Sequence, residues 1–255
     1  MRRRTFLAGL AGAGLWPMGR AFAVEKPFKV SLVGDAFTGD GWLTGIRITL
    51  DDGWKTYWRM PGDSGIPPVF GWNGGSGDGL VEVLFPLPGR FRDAAGETVG
   101  YHDEVILPVR VKQGEAMPQR LDLDLFFAVC REVCVPVQAK ASIELGTAQR
   151  DPAGSRLVEQ WLARVPVEGD IVQEAEVVLE DGKPELKLTL RQPANDIFVE
   201  WEGPAYFHAP RFSADGLEAR LPVANIKAPA ELAGAMLRLT FDQAGKGLEQ
   251  SVTLP

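Results

Sequence analysis

The segment FFAVCREVCVPVQ, residues 126–138, contains the two cysteines of the chain, Cys130 and Cys134, with three residues between them. Before it, RLDLDLFFAV (120–129) alternates apolar and polar residues, and AKASIEL (139–145) does the same after it. A period of two is typical of a strand with one buried face. Two such strands joined by three residues predict a β-hairpin with both cysteines facing each other at its tip.

The β pattern extends along most of the chain. Stretches such as FKVSLVG (28–34), LTGIRITLDDG (43–53) and VILPVRVK (105–112) alternate, and Gly- and Pro-rich turns separate them. Many short strands at such spacing are typical of a β-sandwich. One stretch differs: DPAGSRLVEQWLARVP (151–166) has a helical period, with its apolar residues on one face and a terminal proline. The β pattern then resumes to the end of the chain.

These patterns predict an all-β protein of two β-sandwich domains joined by a short helix. We place the first domain at residues 24–148, the helical linker at 149–166 and the second domain at 167–255. One continuous sandwich with a helical insertion is the alternative arrangement.

Residues 1–23 have the composition of a cleaved signal peptide. Arginines at positions 2 to 4 precede a short apolar stretch, and AFA, which ends at Ala23, is a small-x-small cleavage site. The segment RRTFL also fits a twin-arginine signal. The apolar run is too short to cross a bilayer, and no other stretch reaches the ~20 apolar residues required. We therefore expect a periplasmic protein without a membrane span.

The charge of the chain is acidic. Loss of the four arginines of the signal segment, which has no acidic residue, takes the formal charge from −7 to −11. Binding of nucleic acid depends on Lys and Arg that neutralise phosphates, and anionic membranes attract basic segments. The composition therefore argues against both as partners.

Two cysteines in an exported chain have three interpretations: a structural disulfide, a metal site or a pair of working thiols. Directly opposed Cβ atoms lie about 4.5–5.5 Å apart, whereas a disulfide favours about 3.8 Å. Closing a five-residue loop stabilises by only roughly 2 kcal/mol, so a structural role adds little to the turn. A soft ion such as copper(I) would need further ligands, for which His102, Met60 and Met117 are candidates, and no zinc spacing is present. The hairpin tip favours exchange chemistry.

Three blocks carry a resemblance to a known family: DDGWKTYWRMPGDSGIPPVFGW, FPLPGRFRDAAGETVGYHDEVILPVRV and FFAVCREVCVPVQA. Together, over about residues 28–145, they resemble the N-terminal periplasmic domain of the DsbD family of thiol:disulfide interchange proteins. They are most similar to its ScsB-type branch, which is linked to copper tolerance. Residues 150–255 resemble, more loosely, the second immunoglobulin-like unit of ScsB-type proteins.

The resemblance implies immunoglobulin-like domains and a redox pair, Cys130 and Cys134, that works without a cofactor, with Cys134 as the first nucleophile. It implies that Tyr57 lies near the cysteines. It also implies an aromatic cap over them, for which Phe91 is the first candidate and Tyr101 and His102 are rivals. Phe91 in the core and His102 in an exposed turn are the structural alternatives; His102 could also accept a thiol proton.

The resemblance further implies protein partners: a membrane protein that supplies electrons, and periplasmic thioredoxin-like or disulfide isomerase proteins that receive them. Well-known members have five residues between the cysteines, where this chain has three, and they carry a membrane conduit and a thioredoxin domain that this sequence lacks. We therefore expect a free-standing carrier served by a separate membrane donor. A copper(I)-binding module that uses the same thiols is the alternative function, and a scaffold with an inert disulfide is a third. The second domain is expected to be a spacer or docking surface.

Overall fold

The computed structural model describes residues 26–62, 65–73, 80–93, 96–114, 118–146 and 151–255. The predicted signal peptide, residues 1–23, and the candidate ligand Met117 lie outside these ranges. Within them, ten strands precede one α-helix and nine follow it.

The strands before the helix are β1 (Phe28–Phe37), β2 (Gly41–Leu50), β3 (Lys55–Gly62), β4 (Val69–Asn73), β5 (Val81–Val83), β6 (Gly89–Asp93), β7 (Gly96–His102), β8 (Glu104–Lys112), β9 (Arg120–Cys130) and β10 (Cys134–Glu144). Helix α1 spans Pro152–Leu162. The strands after it are β11 (Val167–Glu168), β12 (Val172–Glu180), β13 (Lys183–Leu190), β14 (Asp196–Glu200), β15 (Tyr206–Phe207), β16 (Arg211–Phe212), β17 (Glu218–Ala224), β18 (Met236–Gln243) and β19 (Lys246–Thr253), with a short 3₁₀ helix at Pro229–Leu232.

The first ten strands form two facing sheets. One has the order β1-β2-β8-β5, and the other has the order β10-β9-β3-β7-β6, with β4 also paired to β9. Alternate side chains of both sheets meet in one core, which includes Ile46, Trp58, Val105 and Phe127. We call this part of the molecule the N-terminal half.

The last nine strands form a second pair of sheets, ordered β11-β19-β18-β14 and β12-β13-β17-β15, with β16 also paired to β17. Their core includes Ile171, Leu186, Leu221 and Phe241. We call this part the C-terminal half. The prediction of an all-β chain is confirmed, whereas the exact domain boundaries stay a prediction.

Helix α1 packs on the outer face of the first sheet. Its amino end is capped by Asp151, whose carboxylate accepts a hydrogen bond from the backbone N–H of Gly154 at 2.8 Å. Its buried residue Val158 packs against Leu43 and Ile106. A Cβ at Gly45 would lie 2.8 Å from a methyl group of Val158, so the glycine permits this close approach. The predicted linker helix therefore belongs to the packing of the N-terminal half.

Candidate redox site

The hairpin of β9 and β10 places the two cysteines opposite each other. Cys130 ends β9, Cys134 begins β10, and the two residues are paired in register. Their Sγ atoms lie 2.6 Å apart, and both are free cysteines. Cys130 is 2% exposed, whereas Cys134 is half-buried. The two thiols therefore need little movement to form a disulfide, and Cys134 is the more accessible sulfur.

Tyr57 reaches these thiols from the neighbouring strand. β3 lies beside β9, with Thr56 opposite Val129. The Tyr57 hydroxyl lies 2.7 Å from the Sγ of Cys134. On the other side of β3, Tyr57 faces Gly100, where a Cβ would come within 2.9 Å of the Tyr57 Cα. The missing side chain at position 100 lets the strands approach here.

Burial raises the pKa of Tyr57 well above its ordinary value, and its hydrogen bonds to Cys134 and Cys130 raise it further. The phenol therefore keeps its proton where a thiol loses one. In that state the Tyr57 hydroxyl donates a hydrogen bond to the Cys134 thiolate, and a hydrogen bond to a charged group is one of the stronger kinds.

Lys55 is a site residue that the sequence analysis did not identify. It lies opposite Cys130 in the ladder between β3 and β9, and it is 8% exposed. Its Nζ donates to Thr98 Oγ1 at 2.9 Å and lies 5.7 Å from the centroid of the Phe91 ring. The sequence indicates that Lys55 lies near the site, because Lys55 and Tyr57 are two residues apart in a strand and share a face.

The electrostatic balance at Cys130 has opposing parts. Burial is the largest influence and raises the pKa of the thiol, and the hydrogen bond with Cys134 raises it too. The hydrogen bond with Tyr57 and the positive charge of Lys55 lower it. The pKa of Cys130 is raised on balance, so this buried thiol holds its proton more firmly than an exposed cysteine does.

Ile66 is a second residue that the sequence analysis missed. It packs on the buried cluster of Tyr57, Ala128 and Cys130. The neighbouring Gly65 sits so close to Tyr57 that a Cβ there would lie 2.8 Å from its ring. Gly65 and Ile66 therefore cover one side of the thiol site.

The predicted cap residues lie at different places. Phe91, on β6, packs edge-on against the ring of His102, with centroids 5.7 Å apart, and adjoins Lys55. It therefore lies beside the cluster, one side chain away from the thiols. His102 is exposed, and its Nδ1 lies 2.5 Å from an Oδ of Asp103.

Tyr101 points to the opposite face of β7. It is buried in the core of the N-terminal half, and its hydroxyl donates to the carbonyl of Pro86 at 2.7 Å. Burial raises its pKa well above the ordinary value. The structure therefore does not bring Tyr101 to the thiols, and its role as a cap has no support from this position.

The candidate copper ligands are not gathered around the cysteines in the part of the chain that the structure describes. Lys55 stands between Cys130 and His102 in the sheet, so two strand spacings, about 10 Å, separate those two residues. Met60 packs against the core. Among the described residues, no group of three or more His, Cys, Asp or Glu side chains is placed to hold a metal ion.

In comparisons with known proteins, the two halves of the chain match two different families. Residues 20–145 match the family described as the N-terminal region of thiol:disulfide interchange protein DsbD. Residues 164–255 match a family described as a domain of unknown function (DUF8393). No curated protein matches the chain.

The similar solved structures include one that aligns with nearly the whole chain. It is the N-terminal periplasmic domain of ScsB from Proteus mirabilis, with a TM-score of 0.68 and 23% identity, covering 89% of this chain and 91% of that chain. At this identity the similarity shows the fold, which is all-β and immunoglobulin-like. A YadV chaperone structure aligns with a TM-score of only 0.26 and 8% identity over 90% of this chain and 100% of that chain, which is too weak a similarity to indicate a shared fold. No helix among the described residues is long and apolar enough to cross a membrane.

Proposed function

Because residues 20–145 belong to the family of DsbD N-terminal domains, we propose that this chain passes electrons to periplasmic proteins through Cys130 and Cys134. The observation that carries the proposal is the 2.7 Å contact between the Tyr57 hydroxyl and the Sγ of Cys134, the more accessible of two adjacent thiols. A structural disulfide needs no such partner. The contact supports a thiolate that forms and reacts at this position.

The proposed reaction has two steps. The Cys134 thiolate attacks a disulfide of the partner, which forms a mixed disulfide and releases one partner thiolate. The Cys130 thiolate then attacks Cys134 Sγ, which breaks the mixed disulfide, releases the second partner thiolate and leaves the Cys130–Cys134 disulfide. Two electrons move to the partner, whose thiolates take up the two protons that the cysteines lost. No cofactor takes part.

The side chains around the thiols fit this order of events. Tyr57 supplies a hydrogen bond to the attacking Cys134 thiolate. Cys130, with its raised pKa, keeps its proton while Cys134 attacks. Once Cys134 is bonded to the partner, the hydrogen bond and the charge of Cys134 no longer raise the pKa of Cys130. The positive charge of Lys55 still lowers the pKa of Cys130. The second thiol is thereby activated only after the first has reacted.

The cycle closes when an electron donor reduces the Cys130–Cys134 disulfide. We propose a dithiol protein of the membrane as this donor and thioredoxin-like or disulfide isomerase proteins of the periplasm as the acceptors. Their chemistry is the same exchange reaction, and family membership supports thiol-redox partners in general.

Trapping in cells tests the proposal. In Cys130→Ser, the mixed disulfide on Cys134 has no thiol to resolve it, so covalent complexes with partners should accumulate. The matched variant Cys134→Ser leaves only the buried Cys130 and should trap far less. Equal and negligible trapping by both variants, in cells where the protein is folded and exported, would refute the assignment.

A further inference from the structure

Strand β14 of the C-terminal half contacts two arginines of the N-terminal half, Arg90 and Arg59. Arg90, on β6, binds both carboxylate oxygens of Asp196, each at 2.9 Å, and donates to the carbonyl of Ile197 at 2.9 Å. Its guanidinium group lies 4.9 Å from the centroid of the Phe198 ring. Its last nitrogen, Nη1, binds Glu97 of β7 at 2.6 Å.

Arg59, on β3, makes an equivalent set of contacts at the other end of β14. It binds both carboxylate oxygens of Glu200, at 2.7 and 2.6 Å, and reaches Glu249 of β19 at 2.5 Å. Its guanidinium lies 4.5 Å from the Trp58 ring, and Trp58 packs edge-on against Phe198, with centroids 5.7 Å apart.

Both arginines are next to side chains of the thiol site. Arg90 directly precedes Phe91, and successive side chains of a strand point to opposite faces. Trp58 directly follows Tyr57 and points to the opposite face in the same way, and Arg59 comes next, in the stretch where the pairing of β3 with β7 is irregular. One face of these strands therefore carries Tyr57 at the cysteines and Phe91 beside Lys55, while the residues next to them in sequence contact the C-terminal half.

The geometry of these ion pairs fixes the positions of the paired side chains. The side chains of Arg90 and Arg59 are only 11% and 19% exposed. Two-point pairs between a guanidinium and a carboxylate restrict orientation as well as distance. In a buried pair, loss of one partner leaves an uncompensated charge, so such a pair resists separation far more than an exposed one does.

From this geometry we infer that the C-terminal half is a positioning element for the thiol site. Strand β14 holds β3 through Arg59 and β6 through Arg90, and thereby sets the places of Tyr57 and Phe91 beside Cys134 and Cys130. The inference rests on the proposed function, and it assigns to residues 164–255, which match a domain of unknown function, a role in thiol exchange without any reacting group of their own.

The test is the equilibrium of the full mature chain with glutathione. The variant Asp196→Asn, Glu200→Gln removes both carboxylate charges of β14 and keeps the shapes. A displaced Tyr57 no longer supports the Cys134 thiolate, so the reduced state loses stability. We expect the equilibrium constant to move about tenfold toward the disulfide, which is about 30 mV for a two-electron couple. Alkylation of Cys134 by a small reagent should become faster in the same variant, because the site is less closely covered.

Two further variants separate positioning from simple destabilisation. Asp170→Asn removes one partner of the exposed Asp170–Arg191 pair of the same half and should leave the equilibrium unchanged. Arg90→Lys keeps the charge but loses the two-point pair, and should shift the equilibrium in the same direction by a smaller factor. In a Tyr57→Phe background the effect of the β14 variant on the equilibrium should largely disappear, which a general loss of stability does not predict.

The outcomes are distinct. If the wild-type pair equilibrates with glutathione and the β14 variant, folded by its melting curve, equilibrates identically, the positioning role is wrong and the proposed function stands. If the wild-type pair does not exchange at all, the proposed function itself fails. If the double variant does not fold, the single variants Glu200→Gln and Arg90→Lys test the inference instead. If both of them equilibrate with glutathione as the wild type does, the inference is wrong.

Discussion

The hydroxyl of Tyr57 lies 2.7 Å from the sulfur of Cys134, at the junction of β3 with the β9–β10 hairpin. This contact joins the more accessible thiol to a phenol that burial keeps protonated. It also joins the thiol to a strand whose next two residues, Trp58 and Arg59, are packed against the C-terminal half. The behaviour of Cys134 should therefore depend on residues near it and on residues far along the chain.

Replacement of Tyr57 by Phe removes the hydroxyl and keeps the ring. We expect formation of the mixed disulfide by Cys134 to slow by about tenfold, because a hydrogen bond to a charged group contributes about 1.5–3 kcal/mol. The rate of thiol exchange with a model disulfide at neutral pH measures this. Tyr101→Phe is the matched control: its hydroxyl bonds Pro86 in the core, so stability should fall while exchange stays at the wild-type rate. Equal exchange rates for wild type and Tyr57→Phe would contradict the role.

Replacement of Lys55 by Met removes the positive charge opposite Cys130. The charge lowers the pKa of Cys130 against the effect of burial, so its loss should raise that pKa further. Resolution of a mixed disulfide on Cys134 should then slow by about threefold at neutral pH, since two charges attract at this range even in a polar medium. The neighbouring groups Cys134, Tyr57 and His102 are unchanged in the variant. Stopped-flow measurement of the second step over a pH series gives the result.

The control for Lys55 is Lys140→Met, which removes an exposed lysine that pairs with Asp124 on the same hairpin. It should resolve the mixed disulfide at the wild-type rate. A pH profile of Lys55→Met that coincides with the wild-type profile would show that the lysine acts only in packing.

Truncation of Phe91 to Ala tests the predicted cap. The ring adjoins Lys55 and His102, so its removal opens one side of the thiol cluster. We expect small alkylating reagents to modify Cys134 about threefold faster, an effect of access. Phe37→Ala, which removes an exposed ring that packs on Trp42 at the other end of the sandwich, should have no effect on alkylation. A wild-type rate for Phe91→Ala would remove Phe91 from the cap.

Acid should destabilise the folded protein by weakening the ion pairs of Arg90 with Glu97 and of Arg59 with Glu249. Burial raises the pKa of Glu97 and Glu249, but arginine partners outweigh it, and both pKa values lie below the ordinary 4.5 in the folded protein. The unfolded chain therefore binds these protons first as the pH falls, so the stabilisation is present above about pH 4.5 and is lost as the pH falls through the lower, folded values. Urea unfolding at pH 7, 5, 4 and 3 should show this decline. Glu97→Gln should decline less steeply, and an unchanged slope would refute the assignment.

Local sequence features were sufficient for the hairpin and for part of the site. The cysteine spacing between two alternating segments predicted the opposition of Cys130 and Cys134, and the structure has that register. Lys55 was missed because a charged residue in an alternating strand normally indicates a solvent-facing position, and its burial depends on neighbouring strands. Tyr101 was grouped with His102 as a rival cap, although the period of two places their side chains on opposite faces.

Contacts between distant segments could not be read from the sequence. The apolar face of α1 predicted that the helix packs against another element. The surface that it packs on depends on the absence of a side chain at Gly45, more than a hundred residues earlier. The pairs of Arg59 with Glu200 and of Arg90 with Asp196 join residues that are over one hundred positions apart. A single arginine in a strand has no local signal that distinguishes such a buried pair from an exposed one.

The reduction potential of the Cys130–Cys134 pair, measured against glutathione on metal-free protein of residues 24–255, tests the central claim most directly. The account predicts a value of about −200 to −270 mV, within the range of proteins that exchange thiols and disulfides. A value below about −300 mV would mark a structural disulfide and would contradict the proposed electron transfer.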